Sequence, residues 1–413
     1  MSIKTSIRDY IRSGETGSQG LGLEIEHFVV NDSGIQIGFD EVSSILNNMA
    51  DIVDAEVIYM DGYPVGYITK DYSITLEPAC QFEISINPSS NIETIKNIYE
   101  EFITLWTPIL KARGYHFETK GNLPLVEQGI IDPEDIKLSP KKRYKYMDSY
   151  FRHSGKYGKY MMRASASTQV SVDFRSEEDM VRKLNVLQKI SPILMIAMEN
   201  KTDPDSTLKD HPDKPHLFRI QEWDDLDKDR TGFYPHSLES GFGYDSVADT
   251  ILNTPLILLT DDGVTTDVGS ETADDLFARG LIREETLDKT RERNLIEHFI
   301  SMGFFHFRVK KYIEIRVADS VPIDRSLGYV ALLKGIVYSD DNLNALEKEL
   351  ADIDSAEKVQ QAVESVEKEG YNAVIYGRKA SEWAANLYEL AIGALSGSDK
   401  EYLENVRAFW GIS

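Results

Sequence analysis

A single cysteine, Cys80, in 413 residues excludes an intrachain disulfide and any metal cluster built on thiolates. Positive charge is scarce as well. The 45 Lys and Arg stand against 69 Asp and Glu, a formal charge of −24, which disfavours nonspecific binding to nucleic acid or an anionic membrane. No apolar run reaches the roughly 18 residues of a membrane span, and the opening MSIKTSIRDYIRSG is too polar for a secretory leader, so a soluble cytoplasmic protein is expected. No phosphate-binding loop of the Walker type occurs. The glycines of GETGSQGLG precede a strand pattern instead of opening a helix, so they make no dinucleotide fingerprint. The eight histidines have no metal-ligand spacing. Any nucleotide must therefore bind by other means.

What remains is ordinary globular material, 41% hydrophobic and 10% aromatic, enough for a sizeable core. At about 150 residues per domain, the length suits one large catalytic unit or two to three smaller ones. Charge reverses locally in KKRYKYMDSYFRHSGKYGKYMMR (141–163), where eight Lys or Arg face one Asp. An anionic ligand is therefore not excluded. Met161 and Met162 in this stretch are expected in a core, and Cys80, with no histidine near it, is expected to be a packed thiol.

Period-two alternation predicts strands at 21–30, 56–60, 73–77, 81–86, 115–119, 168–174, 304–307 and 312–317. Capping signals, Ser90 with Glu93 and Ser176 with Asp179, open two amphipathic helices. Four more helices are expected at 341–351, 356–369, 380–392 and 399–410. Strands and helices in blocks imply an α+β fold, with a mainly antiparallel sheet covered on one face by helices.

The other face carries the chemistry. Residues at i and i+2 share a side of a strand, so in LGLEIEHFVVN Glu24 and Glu26 oppose Leu23, Ile25 and Val29. CQFEISIN sets Gln81, Glu83 and Ser85 against Phe82, Ile84 and Ile86. STQVSVDF sets Gln169, Ser171 and Asp173 against Val170, Val172 and Phe174, and YIEIRV sets Glu314 and Arg316 against Ile313, Ile315 and Val317. A solvated face would usually mix lysine among its acids; these four have none. Like charges on neighbouring strands repel, so the carboxylates need a cation. Oxygen ligands without His or Cys suit magnesium or manganese, and Glu77 can join from a strand end. Arg316 lies on the face of Glu314, where it can grip a carboxylate or phosphoryl group through two N–H groups. Arg219 and Arg230, in FRIQEWDDLDKDRTGF, are available for a ligand or for the acids of their own loop.

Six blocks, LGLEIEHFVV, EPACQFEISINPS, RYKYMDSYF, MMRASASTQVSVDF with DMVRKLNVLQKISPIL, FRIQEWDDLDKDRTGF and YIEIRVADSVP, occur in an order that resembles the glutamate–cysteine ligases of the plant and proteobacterial type. They extend from Leu21 to about Pro322. The resemblance implies a glutamine-synthetase-like catalytic core, a curved antiparallel sheet whose polar face holds two or three magnesium ions and ATP. It implies metal ligands at Glu24, Glu26, Glu77, Glu83 and Glu314, with the amide oxygen of Gln169 as a further candidate. Arg316, Arg219 and Arg230 would hold glutamate, Arg316 and Arg230 with a catalytic part, and Trp223 would line that pocket. Arg163, Arg143 and the basic stretch around them would lie near the nucleotide. The implied reaction joins the γ-carboxylate of glutamate to the α-amine of cysteine through a γ-glutamyl phosphate, the first step towards glutathione; the general base is unassigned. Residues 1–330 are then expected to form the catalytic ligase core and 331–413 a helical extension packed on it. A γ-glutamyl ligase using another amine, a noncatalytic acidic cation-binding protein and a metal-dependent hydrolase are the competing readings.

Overall fold

A computed structural model describes residues 2–412. Strands β1 (Leu21–Asn31), β2 (Glu56–Met60), β3 (Tyr63–Ile68), β4 (Tyr72–Leu76), β5 (Phe82–Ser89), β6 (Tyr115–Glu118) and β7 (Ser167–Val172) precede a separate hairpin, β8 (Pro255–Asp261) with β9 (Val264–Thr272). β10 (Phe307–Val309) and β11 (Ile313–Asp319) follow. The nine-stranded sheet runs β10-β11-β7-β1-β5-β4-β3-β2, with β6 also on β1, and its pairings are antiparallel. The α+β reading holds.

Helices Ile92–Lys111, Glu177–Ala197 and Ile323–Val337 cover the apolar face, against β5, β11, and β1 with β7 respectively. Their caps follow local chemistry. Ser176 accepts from Asp179 N–H as expected, but the reciprocal bond goes from Arg175 N–H to Asp179. The expected Ser90 cap is corrected to Asn91, whose amide oxygen accepts from Glu93 N–H at 2.9 Å. His27 also lies on this face. It is fully buried between the Phe82 carbonyl (3.1 Å) and the Tyr99 hydroxyl (2.8 Å), and burial pushes its pKa down to about 4.

The strand expected at 304–307 begins only at Phe307, because Phe304 and His306 donate their N–H groups to the carbonyls of Arg230 and Gly232 in a neighbouring loop. β3, β8 and β9 were not foreseen. The β2–β3 and β8–β9 turns are Asp-Gly pairs with positive φ at each residue, Asp61-Gly62 (52°, 84°) and Asp262-Gly263 (45°, 75°), the geometry whose twist suits a two-residue hairpin.

The tail helices Asp340–Glu349, Ala356–Glu369, Ala380–Ala394 and Ser398–Glu404 occur near their expected positions; the last gives way to a 3-10 turn at Arg407–Trp410. Residues 330 and 331 lie inside helix Ile323–Val337, against which Ala380–Ala394 and Ser398–Glu404 pack. The approach is close at Gly335, where a Cβ would stand 2.6 Å from the Ala391 carbonyl oxygen. No helix among the described residues is long and apolar enough to cross a membrane.

Candidate active site

The polar faces of β1, β5, β7 and β11 form the floor of a cavity of about 300 Å³. Glu24, Glu26, Glu77, Glu83, Gln169, Glu314 and Arg316 all line it, as do Arg219, Trp223 and Arg143. Register explains the convergence. Glu26 stands directly across from Glu83, and Glu24 is flanked by Ser85 and Gln169. β11 carries one extra residue between its pairs Ile315–Val170 and Ala318–Thr168. This bulge contains Arg316, and bulges of this kind re-aim side chains beside active sites.

The two ends of the cavity differ in charge. At one end lie Glu26, Glu77 and Glu83, with Glu24 between them and the cations Lys310, Arg308 and Arg316. Burial holds Glu24, Glu26 and Glu83 above the usual carboxylate range, Glu26 at about 7. Glu314 adds to the shift of Glu24 and Glu77 to that of Glu26, while Glu24, Glu77 and Glu26 all add to that of Glu83. Glu26 accepts from Ser167 N–H (2.7 Å), Ser167 Oγ (3.1 Å) and Gln169 Nε2 (3.2 Å); Glu83 accepts only from Thr75 and Ser85 hydroxyls. These half-buried carboxylates are oxygen donors without enough positive charge, which fits a hard divalent cation. Among the described residues no three His, Cys, Asp or Glu side chains already converge as a metal cage. A cation here would draw its remaining ligands from substrate oxygens.

At the other end Glu314, fully buried, accepts from Arg308 (2.7 Å), Lys310 (2.7 Å) and Arg316 (3.1 Å). Burial alone would raise its pKa; the three cations outweigh burial and hold it well below the usual range. Two of the expected metal ligands have other partners in this structure. Both oxygens of Glu314 are already engaged by cations, and the amide oxygen of Gln169 accepts from Arg316 at 2.5 Å. Gln169 acts as a spacer between Arg316 and Glu26.

The arginines divide similarly. Arg219 uses Nε on Asp319 (2.9 Å) and one terminal nitrogen on the carbonyls of Ala318 and Arg316, at the cavity wall. Arg230 does not line the cavity. It is fully buried on Asp227 (2.7 Å) of its own loop, donates to the carbonyls of Pro255 and Met302, and stacks over Tyr150. Arg163 is also outside, clamped to Asp148 and the Ile136 carbonyl. Most of the basic stretch is spent on acids elsewhere: Lys142 on Asp61, Arg152 on Glu134 and Asp148, Lys156 on Asp210 and Lys159 on Asp132. Lys145, Lys141 (on the Leu76 carbonyl and the Tyr144 hydroxyl) and Arg143 have no acid partner among the described residues. Arg143 donates only to Ser301 (3.2 Å) and lines both this cavity and a more open one of about 520 Å³ between the β2–β3 and β8–β9 turns.

Met161 and Met162 both pack in the core, as expected, and Met161 also lines the cavity. Cys80 is buried outside the lining, and burial pushes its thiol up to about 12. Sequence reasoning missed Arg308, Lys310, Tyr144 and His306. The first two were legible as an i, i+2 pair in FRVKKY once the strand began at Phe307.

A family profile described as glutamate-cysteine ligase family 2 matches residues 20–395. A chloroplastic glutamate–cysteine ligase of Medicago truncatula is 28% identical over 351 residues, 82% of this chain and 65% of that protein. The Arabidopsis thaliana enzyme is 28% identical over 342 residues, 82% of this chain and 63% of that protein. The chain thus spans slightly under two thirds of these relatives. A solved glutamate–cysteine ligase of Francisella tularensis, in complex with AMP, has a TM-score of 0.51 at 14% identity, covering 96% of this chain and 82% of that one. That likeness concerns the fold.

Proposed function

From the premise that this chain belongs to glutamate-cysteine ligase family 2, we propose that it joins the γ-carboxylate of glutamate to the α-amine of cysteine with ATP and magnesium. The observation that supports this most is one cavity with an under-neutralised carboxylate cluster at one end and an arginine-rich wall at the other.

A carboxylate does not accept an amine unaided, because oxide is too poor a leaving group. Phosphorylation by ATP turns that oxygen into part of a phosphate. The transfer brings anions together, so the protein's task is positioning and charge neutralisation. In this reading Glu24, Glu26, Glu77 and Glu83 hold the magnesium ions from rigid strands, with manganese an acceptable substitute. Bound there, magnesium neutralises the ATP phosphate oxygens and polarises the phosphoryl group. Arg316, aimed by its bulge and steadied by Glu314 and Gln169, holds the glutamate γ-carboxylate and stabilises the charge that develops on it. Arg219 and Trp223 complete the glutamate pocket, and Arg143 meets the nucleotide phosphates; the AMP bound by the Francisella relative is in keeping with an adenine nucleotide. The product would be γ-glutamylcysteine, on the way to glutathione. Residues 1–330 would form the catalytic core, with the later helices as its buttress, and the protein would work in the cytoplasm, unlike its chloroplastic relatives.

The test is ADP release with ATP, magnesium and glutamate, adding cysteine and other amines in turn and weighing the products. Cysteine stimulation with γ-glutamylcysteine formed is expected. Stimulation by another amine alone would replace the acceptor, and ADP release indifferent to glutamate would overturn the ligase reading.

A further inference from the structure

An amine at neutral pH is an ammonium ion with no lone pair, so the acceptor must lose a proton before it attacks. The carboxylates at one end of the cavity are reserved for cations in the reading above. Lys310 is committed to Glu314, and burial raises Tyr144 well above its usual range. One imidazole lines the cavity, that of His306.

We infer that His306, oriented by Asp224, is the proton acceptor for the incoming amine. This rests on the ligase reading and adds the base that it lacked. His306 is 5% exposed, and its Nε2 lies 3.1 Å from Asp224 Oδ1. Both atoms are buried, and neither makes a well-aligned hydrogen bond, to the other or to any further described group. At this distance a small rotation of either side chain brings an Nε2 proton onto Asp224 Oδ1, and that tautomer leaves the lone pair on Nδ1. The ring is held edge to face by Phe233 at 5.1 Å between centroids. Its backbone is tied on both sides, donating to the Gly232 carbonyl (2.8 Å) and accepting from Arg316 N–H (2.9 Å). The base is thus registered against the arginine assigned to the reacting carboxylate. The charged groups around the pair are Arg219, Arg308 and Arg316 on the cavity side, and Glu367, ion-paired to Lys214 at 2.7 Å, behind Asp224. Gln360 donates weakly to the other Asp224 oxygen at 3.4 Å.

In the step, the ammonium N–H bond breaks, its electron pair stays on nitrogen, and the proton passes to Nδ1. The freed pair forms the C–N bond at the acyl phosphate carbon. The C–O bond to phosphate then breaks, its pair leaving with phosphate, which takes the second amine proton; the imidazolium returns its proton to water. Asp224 does not touch substrate. It is a positioning residue that also stabilises the imidazolium.

The experiment compares hydroxylamine, already unprotonated at neutral pH, with cysteine, or with whichever amine the acceptor screen identifies. His306→Gln should retain glutamyl hydroxamate formation within about threefold. It should lose cysteine ligation by about 100-fold or more at about pH 7, the scale of general-base assistance, and recover part of it at about pH 9, where the free-amine fraction is many-fold larger. Asp224→Asn should show the same selectivity at smaller amplitude, about tenfold. Equal loss with both nucleophiles, or unchanged cysteine ligation, would overturn the assignment. Wild-type protein that makes no hydroxamate would overturn the ligase reading and this inference with it, an outcome distinct from a failure confined to the variants.

Discussion

Glu83→Gln should stabilise the protein in the absence of divalent cations while removing its response to them. Glu83 faces Glu26 directly across an antiparallel pair, where Cβ atoms are about 5 Å apart. At an effective dielectric constant of about 20, two charges at that separation repel by roughly 3 kcal/mol. The cavity admits water and is lined by five cations, Arg143, Arg219, Arg308, Lys310 and Arg316, which halves this or more, so a gain of about 1–1.5 kcal/mol is expected at about pH 8 in EDTA. Glutamine keeps an oxygen for the Thr75 and Ser85 hydroxyls and gains N–H donors for its acidic neighbours. The sign with pH follows from proton counting. Glu83 holds its proton to higher pH in the folded protein than at its ordinary value of 4.5, so the native state binds more protons in between. Wild-type stability therefore falls as pH rises through that window. The variant's advantage should vanish below about pH 4.5 and grow above it, read as urea midpoints or as a Tm higher by a few degrees at pH 8. Magnesium should raise the wild-type Tm and leave that of the variant unmoved. A variant less stable than wild type at pH 8 in EDTA, or one that magnesium stabilises equally, would refute the reasoning.

Arg316→Lys keeps the charge but loses the planar guanidinium, whose Nη1 alone serves Gln169 and Glu314 and whose remaining N–H groups are left for the substrate. Glutamate-dependent turnover should fall by about 100-fold, and a near-native rate would remove Arg316 from the reaction. Arg230→Ala leaves Asp227 buried without its cation, so it should cost about 3–5 kcal/mol in denaturant unfolding; unchanged stability with a raised glutamate KM would restore Arg230 to the substrate. Gly335→Ala should destabilise by about 1–3 kcal/mol through overpacking against Ala391, measured by thermal melting. Cys80 should label with iodoacetamide only after unfolding, because its thiol is buried and pushed up to about 12; rapid labelling of native protein, followed by mass, would contradict this.

The floor of the site was legible because period-two alternation is a local property: Glu24, Glu26, Glu83 and Glu314 each sit between apolar residues that must face a core. Charge partners are not local. Arg316 was marked by its strand face, but nothing local showed that Asp148 and Asp227 consume Arg163 and Arg230 in clamps away from the cavity. Strands β3 and β9 escaped notice for different reasons. YPVGYI contains a proline and a glycine, and VTTDVGSET is mostly polar and solvent-exposed, so neither presents an apolar stripe. Their Asp-Gly turns were the available signal. His306 was invisible because its partner Asp224 is 82 positions earlier in the chain.

The order of strands in the sheet also bears on how the protein is made. β1, central in the finished sheet, is synthesised 290 residues before Glu314 of β11, roughly 15–60 s ahead at ordinary elongation rates. During that interval β7 lacks its outer neighbour, and the carboxylates of β1 and β5 lack Arg308, Lys310 and Arg316. Nascent chains therefore pass through a stage with an open strand edge and crowded negative charge, relieved only when the cations of β10 and β11 arrive, and a chain ending before β11 would expose that edge to aggregation.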